Sequence, residues 1–248
     1  MNMLLIDAGN SRIKWAMVEN GRVLRQGVAE HVANALPEAF AGLPVPHRIL
    51  VSNVAGESVA HGIRAACAGW NCLVEFIAAQ AVQCGVRNGY EHPAQLGSDR
   101  WAALIAAWYF ERAACLVVSC GTATTVDALS EEGEFIGGLI LPGVDMMRRS
   151  LAAGTAQLEE AQGASREFPR NSADAMTSGA IRATVGAIFR QHALLGVPGA
   201  RCLLGGGAAD GIQPHLDLPL LRMDDMVLRG LLIIGQEEKT GGCDEVVV

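Results

Sequence analysis

The sequence predicts an α/β protein made of two similar halves with a cleft between them, and three observations carry that prediction. The chain opens on an apolar strand that runs into a glycine loop and a hairpin; the same grammar returns in mid-chain; and helical and extended periodicities follow each opening. Residues 3–7 are a short apolar run of the kind that a strand buried on both faces requires, and residues 13–18 continue as a second strand after the loop "DAGNSRIK". "ENGR" at 19–22 supplies an Asn-Gly hairpin turn, and residues 23–28 return as a third strand. From Leu116 the order repeats: "LVVS" is the strand, "CGTAT" the glycine loop, "TVDAL" the second strand, "SEEGE" the turn and "FIGGLIL" the return. Setting Gly9 on Gly121 gives an offset of 112 residues, and the same offset sets Gly21 on Gly133.

The remaining segments fit this plan. "PHRILVSNV" and "LVEFI" read as strands of the first half, and "RCLLGGG" as a strand of the second that ends in a glycine turn. Apolar periodicity predicts helices over 57–68, 98–112, 142–153, 173–192 and 225–237. Because no linker rich in Pro or Ser intervenes, the halves are expected to pack tightly, with a boundary near Ala113 that divides the chain into 1–113 and 114–248.

Composition narrows the function classes. Half of the 248 residues are hydrophobic, enough for proper cores, and a formal net charge of −7 leaves no basic stripe for a nucleic-acid backbone. The 7 cysteines, at 67, 72, 84, 115, 120, 202 and 243, form no CxxC pair or metal-spaced cluster and read as buried thiols of a reducing compartment. There is no basic n-region with a cleavage site, and "WAALIAAWYF" is about half a membrane span. A soluble cytoplasmic chain with neither nucleic-acid nor membrane partner is expected. The six histidines, at 31, 47, 61, 92, 192 and 215, form no motif and read as surface or core packing.

Chemistry concentrates in the glycine loops. Glycine permits positive φ and close approach of a ligand to the main chain, and successive N–H groups in such a turn form a concave anion site. Three such places occur, "DAGNS" at 7–11, "CGTAT" at 120–124 and "GGGAAD" at 205–210; none is a Walker A sequence and no strand runs into G-x-G-x-x-G.

Two phosphate hairpins in duplicate register with a third glycine turn resemble the acetate and sugar kinase, Hsp70 and actin superfamily, whose ribonuclease H-like halves close over a nucleotide. Within it the chain resembles the type III pantothenate kinases. "YEHPAQLGSDRWAAL" at 90–104 matches that family's Tyr-x-x-Pro-x-x-Leu-Gly-x-Asp-Arg stretch, and "DAGNSRIK", "GTATTVDAL", "GGLILPGVDMM", "LAAGTAQL" and "NSADAMTSGA" follow in the family's order from residue 7 to about 210.

The resemblance implies an ATP-dependent kinase that phosphorylates pantothenate, the first step toward coenzyme A. It assigns Asp7, Ala8, Gly9, Asn10, Ser11, Arg12, Ile13, Lys14 and Thr122 to the ATP phosphates, with Asp7 managing Mg2+ directly or through water, and Gly205, Gly206 and Gly207 to the adenine side. Lys14 has two readings, counter-charge to phosphate or solvated strand residue. Tyr90, Gly97, Ser98, Asp99 and Arg100 would hold pantothenate, together with Thr177 supplied by the partner subunit of a homodimer. Asp99 would be the catalytic base. Ser98 is a candidate helix N-cap, which puts Asp99 in the first turn, where the helix N-terminus and Arg100 both favour the ionised carboxylate. Such an Asp accepts a hydrogen bond from the hydroxyl and takes its proton as transfer proceeds.

One position departs from the family pattern. Where the family has Asp-x-Gly-Thr-Ala, this chain has Ser119-Cys120-Gly121-Thr122-Ala123, and the internal offset independently sets Ser119 on Asp7. The family's aspartate is associated with a monovalent cation, potassium or ammonium. A serine hydroxyl is a neutral, weaker ligand for a hard cation, so the potassium requirement is expected to be weakened or lost; carbonyls and water completing the site is the other reading. Two further functions stand beside the kinase. One is a non-catalytic accessory protein on the same fold, as some family members were first described, and the other is a kinase for a different small molecule.

Overall fold

The computed structural model describes residues 1–31, 35–159 and 161–240. They form two compact units, one from Met1–Phe110 joined by the segment from Met226 onward, the other from Glu111–Asp225.

The first unit opens on a meander of β1 (Asn2–Ala8), β2 (Ile13–Glu19) and β3 (Arg22–Ala29), all antiparallel. Asn20 at φ 51 and Gly21 at φ 81 make the β2–β3 turn, the paired positive φ that an Asn-Gly hairpin supplies. Helix α1 (Ala35–Phe40) leads to β4 (Arg48–Asn53), parallel to β1, and α2 (Glu57–Cys67) leads to β5 (Val74–Phe76), parallel to β4. The sheet order is β3-β2-β1-β4-β5. A small hairpin, β6 (Val82–Gln83) and β7 (Val86–Asn88), precedes α3 (Ser98–Glu111).

The second unit repeats the plan. β8 (Cys115–Cys120), β9 (Ala123–Leu129) and β10 (Glu134–Pro142) form the meander, followed by α4 (Val144–Gly154) and α5 (Ser172–Leu195). β11 (Arg201–Gly205) then pairs parallel with β8, and after the short α6 (Ala209–Ile212) β12 (Leu220–Arg222) pairs parallel with β11. These five strands run β12-β11-β8-β9-β10, the mirror of the first unit's listing and so the same topology.

The registers test the duplication residue by residue. Met3 pairs with Arg48 on β4; Cys115, 112 residues on, pairs with Arg201 on β11. Asp7 and Ser119 therefore hold equivalent places. The offset slips by one at the loop, since Ala8 pairs with Ile13 whereas Cys120 pairs with Thr124, and the longer turn ending at Gly133 restores it.

Two-sided burial explains why β1 is an unbroken apolar run. Leu4, Ile6 and Ala8 pack with Leu36 and Phe40 of α1 and Ile63 and Cys67 of α2. Met3 and Leu5 face the other way and pack with Leu228 and Leu231 of α7 (Met226–Thr240). The division at Ala113 is thus corrected in one respect: the chain leaves the first unit after Phe110, but α7 returns to it, because β1 has a second apolar face to cover. Cys84, at φ 52 in the β6–β7 turn, donates its N–H and Sγ–H to Glu237 Oε2 at 2.9 and 2.8 Å and anchors the far end of α7. The final stretch "GGCDEVVV" lies outside the described residues. Of the six described cysteines, Cys67, Cys115, Cys120 and Cys202 are buried, whereas Cys72 and Cys84 are half-buried.

Helices α3 and α7 approach so closely at Gly230 that an added Cβ would lie 1.9 Å from the Ala102 carbonyl oxygen, whereas nothing lies within 4 Å of one at Gly62 in α2. Gly230→Ala is therefore expected to cost at least about 1–3 kcal/mol in urea unfolding, the range for overpacking. Gly62→Ala should stabilise by up to about 1 kcal/mol through helix propensity.

Candidate functional site

β1 carries the first loop at its carboxyl end. Asp7, half-buried, pairs with Lys14 on β2 and with Ser52 on β4. Residues 10–12 project into solvent, and Ile13 is buried. Gly9 is not in the left-handed region, and the nearest atom to a Cβ there, Arg12 O, stands at an ordinary 3.5 Å. Neither the turn nor the packing demands glycine, and its lack of a side chain leaves that face of the loop open to an approaching group. His31, read as packing, donates from Nε2 to the Gly9 carbonyl at 2.7 Å and steadies the loop.

A second group of predicted residues gathers at the start of α3. Asn88 organises the approach: its Oδ1 accepts from Tyr90 N at 3.1 Å and its Nδ2 donates to Pro93 O at 3.2 Å. A single turn of 3-10 helix (Pro93–Gln95) then seats the buried Leu96. The Gly97 carbonyl accepts from Trp101 N at 2.9 Å, so Gly97 takes the cap position expected of Ser98. The Ser98 hydroxyl is occupied elsewhere, 2.9 Å from Ser52 Oγ on β4, and both groups are buried.

Asp99 lies over Gly97. An added Cβ at 97 would stand 2.6 Å from Asp99 Oδ1, so a side chain there would push the carboxylate out of this position. Asp99 Oδ1 also accepts from Arg100 N at 2.8 Å. Burial raises the Asp99 pKa above its ordinary value and outweighs the hydrogen bond and positive charge of Arg100, which pull it down. This reverses the balance that the helix N-terminus and Arg100 alone suggest, and it makes the carboxylate a stronger base. Arg100 is itself buried, and its Nη1 donates to Tyr90 Oη at 2.9 Å.

In the second unit, Thr122 and the 205–207 turn come together. Gly206, at φ 98, lies so close to β8 that a Cβ would be 2.3 Å from Cys120 O, and Ala208 N donates to that carbonyl at 3.0 Å. From the other side Gly143 N donates to Thr122 O at 2.9 Å, and a Cβ at 143 would stand 2.3 Å from Gly121 O. The loop is thus gripped between two glycines, and α4 begins at it with Gly143 as its cap. Gly143 lies within "GGLILPGVDMM", a stretch that carries the family resemblance but gives this glycine no role. Gly121 matches Gly9 in having its nearest would-be neighbour, Ala123 O, at 3.5 Å. Ser119 pairs with Gly205 and with Thr125.

Thr177 lies on α5 of the second unit, within "NSADAMTSG". Asn171 caps the helix by accepting from Asp174 N at 2.8 Å. Asp174 Oδ1 accepts from Ala164 N at 2.7 Å, and Ser178 Oγ from Arg166 N at 2.9 Å. That Ala164 bond leads the interactions that hold the Asp174 carboxyl below its usual range. Asn171, Asp174 and Ser178 are spent on backbone, whereas the buried Thr177 hydroxyl makes no hydrogen bond among the described residues.

Among the described residues no group of three or more His, Cys, Asp or Glu could hold a metal by itself, and no helix is long and apolar enough to cross a membrane. A cation at the first loop would therefore rest on Asp7 and on oxygens that a ligand brings, the arrangement Mg2+ favours with phosphates.

Comparison with known proteins bears on both fold and chemistry. The family model of type III pantothenate kinase matches residues 3–193. The type III pantothenate kinase of Aromatoleum aromaticum is 50% identical over 240 residues, covering 95% of this chain and 98% of that protein. That of Nitrosospira multiformis is 47% identical over 239 residues, covering 95% and 91%. Among solved structures, component A of the (R)-2-hydroxyglutaryl-CoA dehydratase of Acidaminococcus fermentans aligns with a TM-score of 0.57 at 12% identity, over 97% of this chain and 99% of that one. The likeness to that structure concerns the fold alone, the duplicated α/β architecture of actin-like ATPases and sugar kinases.

The raised Asp99 pKa has a consequence for stability. With its folded value above the unfolded 3.8, the carboxyl favours the folded state at low pH, and that contribution is lost as pH rises through the folded pKa. Asp99→Asn should therefore gain stability relative to wild type as pH is raised from 4 to 7, read as the difference in urea-unfolding free energies. An equal difference at both pH values would contradict the assignment.

Proposed function

Since the chain belongs to the type III pantothenate kinase family, it is an ATP-dependent kinase that phosphorylates pantothenate on the route to coenzyme A, and we propose that Asp99 is its catalytic base. The observation that supports this most is the half-buried carboxylate at the head of α3, with its pKa raised by desolvation. Phosphoryl transfer needs little more than in-line placement of the two oxygens and stabilisation of the moving charge, so a base need only accept the proton of the substrate hydroxyl as transfer proceeds.

In this reading residues 7–14 and Thr122 bind the phosphates through backbone N–H groups above the open faces of Gly9 and Gly121, and Lys14 supplies positive charge. The 205–207 turn takes the adenosine. A divalent cation, Mg2+ in our proposal, accompanies the nucleotide and neutralises phosphate charge when bound; Asp7 holds it directly or through water. Arg100 presents its guanidinium to the carboxylate of pantothenate, with Tyr90 as a wall and Gly97 and Ser98 giving backbone access. The unspent Thr177 hydroxyl completes the partner subunit's pantothenate site in a homodimer. The enzyme works in the cytoplasm, and Ser119 weakens its dependence on potassium.

Transfer of phosphate from ATP to pantothenate, with Mg2+, tests this. Asp99→Asn should lower kcat by about 10²–10⁴-fold, the range for general-base catalysis, with KM values little changed. A variant that keeps most of its turnover would remove Asp99 from the role. In the same assay, adding potassium to a Tris buffer should change wild-type activity little; strong activation would mean that carbonyls and water build the cation site without the missing carboxylate.

A further inference from the structure

We infer that the buried hydroxyl pair of Ser52 and Ser98 is a positioning device for the reaction, one that fixes the depth of the α3 N-terminus against the sheet and so the place of Asp99 relative to the first loop. The inference rests on Asp99 being the base. Ser52 is fully buried at 0% exposure and Ser98 nearly so at 8%, with their oxygens 2.9 Å apart. Each stands next to a residue of the site: Ser52 is the β4 partner of Asp7, and Ser98 immediately precedes Asp99. A single hydroxyl–hydroxyl contact therefore joins the strand edge that carries the first loop to the helix that carries the base.

Stability alone gives little reason for this pair. Its neighbours on β4, Ile49, Leu50 and Val51, are apolar and buried, and two buried hydroxyls bonded to each other contribute little net stability compared with two apolar groups of similar shape. What the pair adds is direction and distance. At the helix start the Asp99 carboxylate is folded back on the Arg100 N–H and lies over Gly97, so its place is tied to that of the helix. A small shift of α3 would carry Asp99 with it, and turnover is sensitive to misplacement on the scale of 1 Å.

The test compares Ser52→Ala, Ser98→Ala and the double variant, each as full-length enzyme below its melting transition, with kcat and both KM values scaled to folded protein. Each single change should lower kcat by about tenfold, with KM for ATP and for pantothenate within about twofold of wild type. The double variant should be no slower than the worse single one, because once the pair is broken the second change removes nothing more. It should also melt nearer to wild type than either single variant, since it leaves no hydroxyl buried without a partner; if a single variant does not fold, the double one carries the test. A double variant with kcat within about twofold of wild type, or single losses that multiply in the double, would overturn the inference. Loss of the Asp99 reading would look different: Asp99→Asn would keep its turnover whatever the serine variants did.

Discussion

The position of β1, with an antiparallel neighbour on one side and a parallel neighbour on the other, is the constraint on which the first unit's chemistry depends. The hairpin to β2 must leave from the carboxyl end of β1, and β4 runs out at that same end, so residues 9–12 and the exit from Asn53 share one edge of the sheet. In open α/β sheets ligands gather at the carboxyl ends of strands, where connections diverge. Burial holds the register: Asp7 is the first carboxylate after four residues exposed by no more than 3%, and a slip of one place would draw its charge into apolar surroundings.

The two units use the same topology for different ends. In the first, the strand edge offers a carboxylate, and a helix start six strands later in the chain brings a second one, with buried hydroxyls and a close glycine setting the geometry. In the second, Ser119 stands in place of the carboxylate, and the loop is held by backbone contacts to Gly143 and Gly206 in which no side chain could fit. Gly9 and Gly121 are unlike those clamping glycines, since nothing in the protein crowds them. Space left clear by the protein is what a ligand-facing glycine provides; space already filled is what a packing glycine provides.

Much of this could be read from residues alone. Strands buried on both faces appear as apolar runs, the Asn20-Gly21 turn declares itself, and five of the longer helices follow their periodicity. The short elements, β6, β7 and β12, carry two or three residues each, too few to show alternation, and Cys84 occupies a left-handed turn position that its residue type does not advertise. Asp99, Arg100 and Tyr90, which the fold brings together, stand in one contiguous motif and so could be proposed as site residues from the sequence. The parts played by Ser52, Asn88 and His31 could not be read there, because they lie in contacts made through the fold, as in the 46-residue separation of Ser52 and Ser98. The direction of the Asp99 pKa was hidden for a related reason: the local charges are visible in sequence, but the depth of burial that overrules them is not.

The return of α7 to the first unit also bears on the order in which the chain becomes structured. The second unit is continuous in sequence, from Glu111 to Asp225, and every segment it needs emerges together during synthesis. The first unit is interrupted: the apolar face of β1 formed by Met3 and Leu5 waits for Leu228 and Leu231, which follow only after the whole of the second unit. On the ribosome the order of completion is therefore reversed relative to the order of translation, and the earlier-made sheet spends that interval with one face uncovered, the condition in which a nascent chain most needs protection from aggregation.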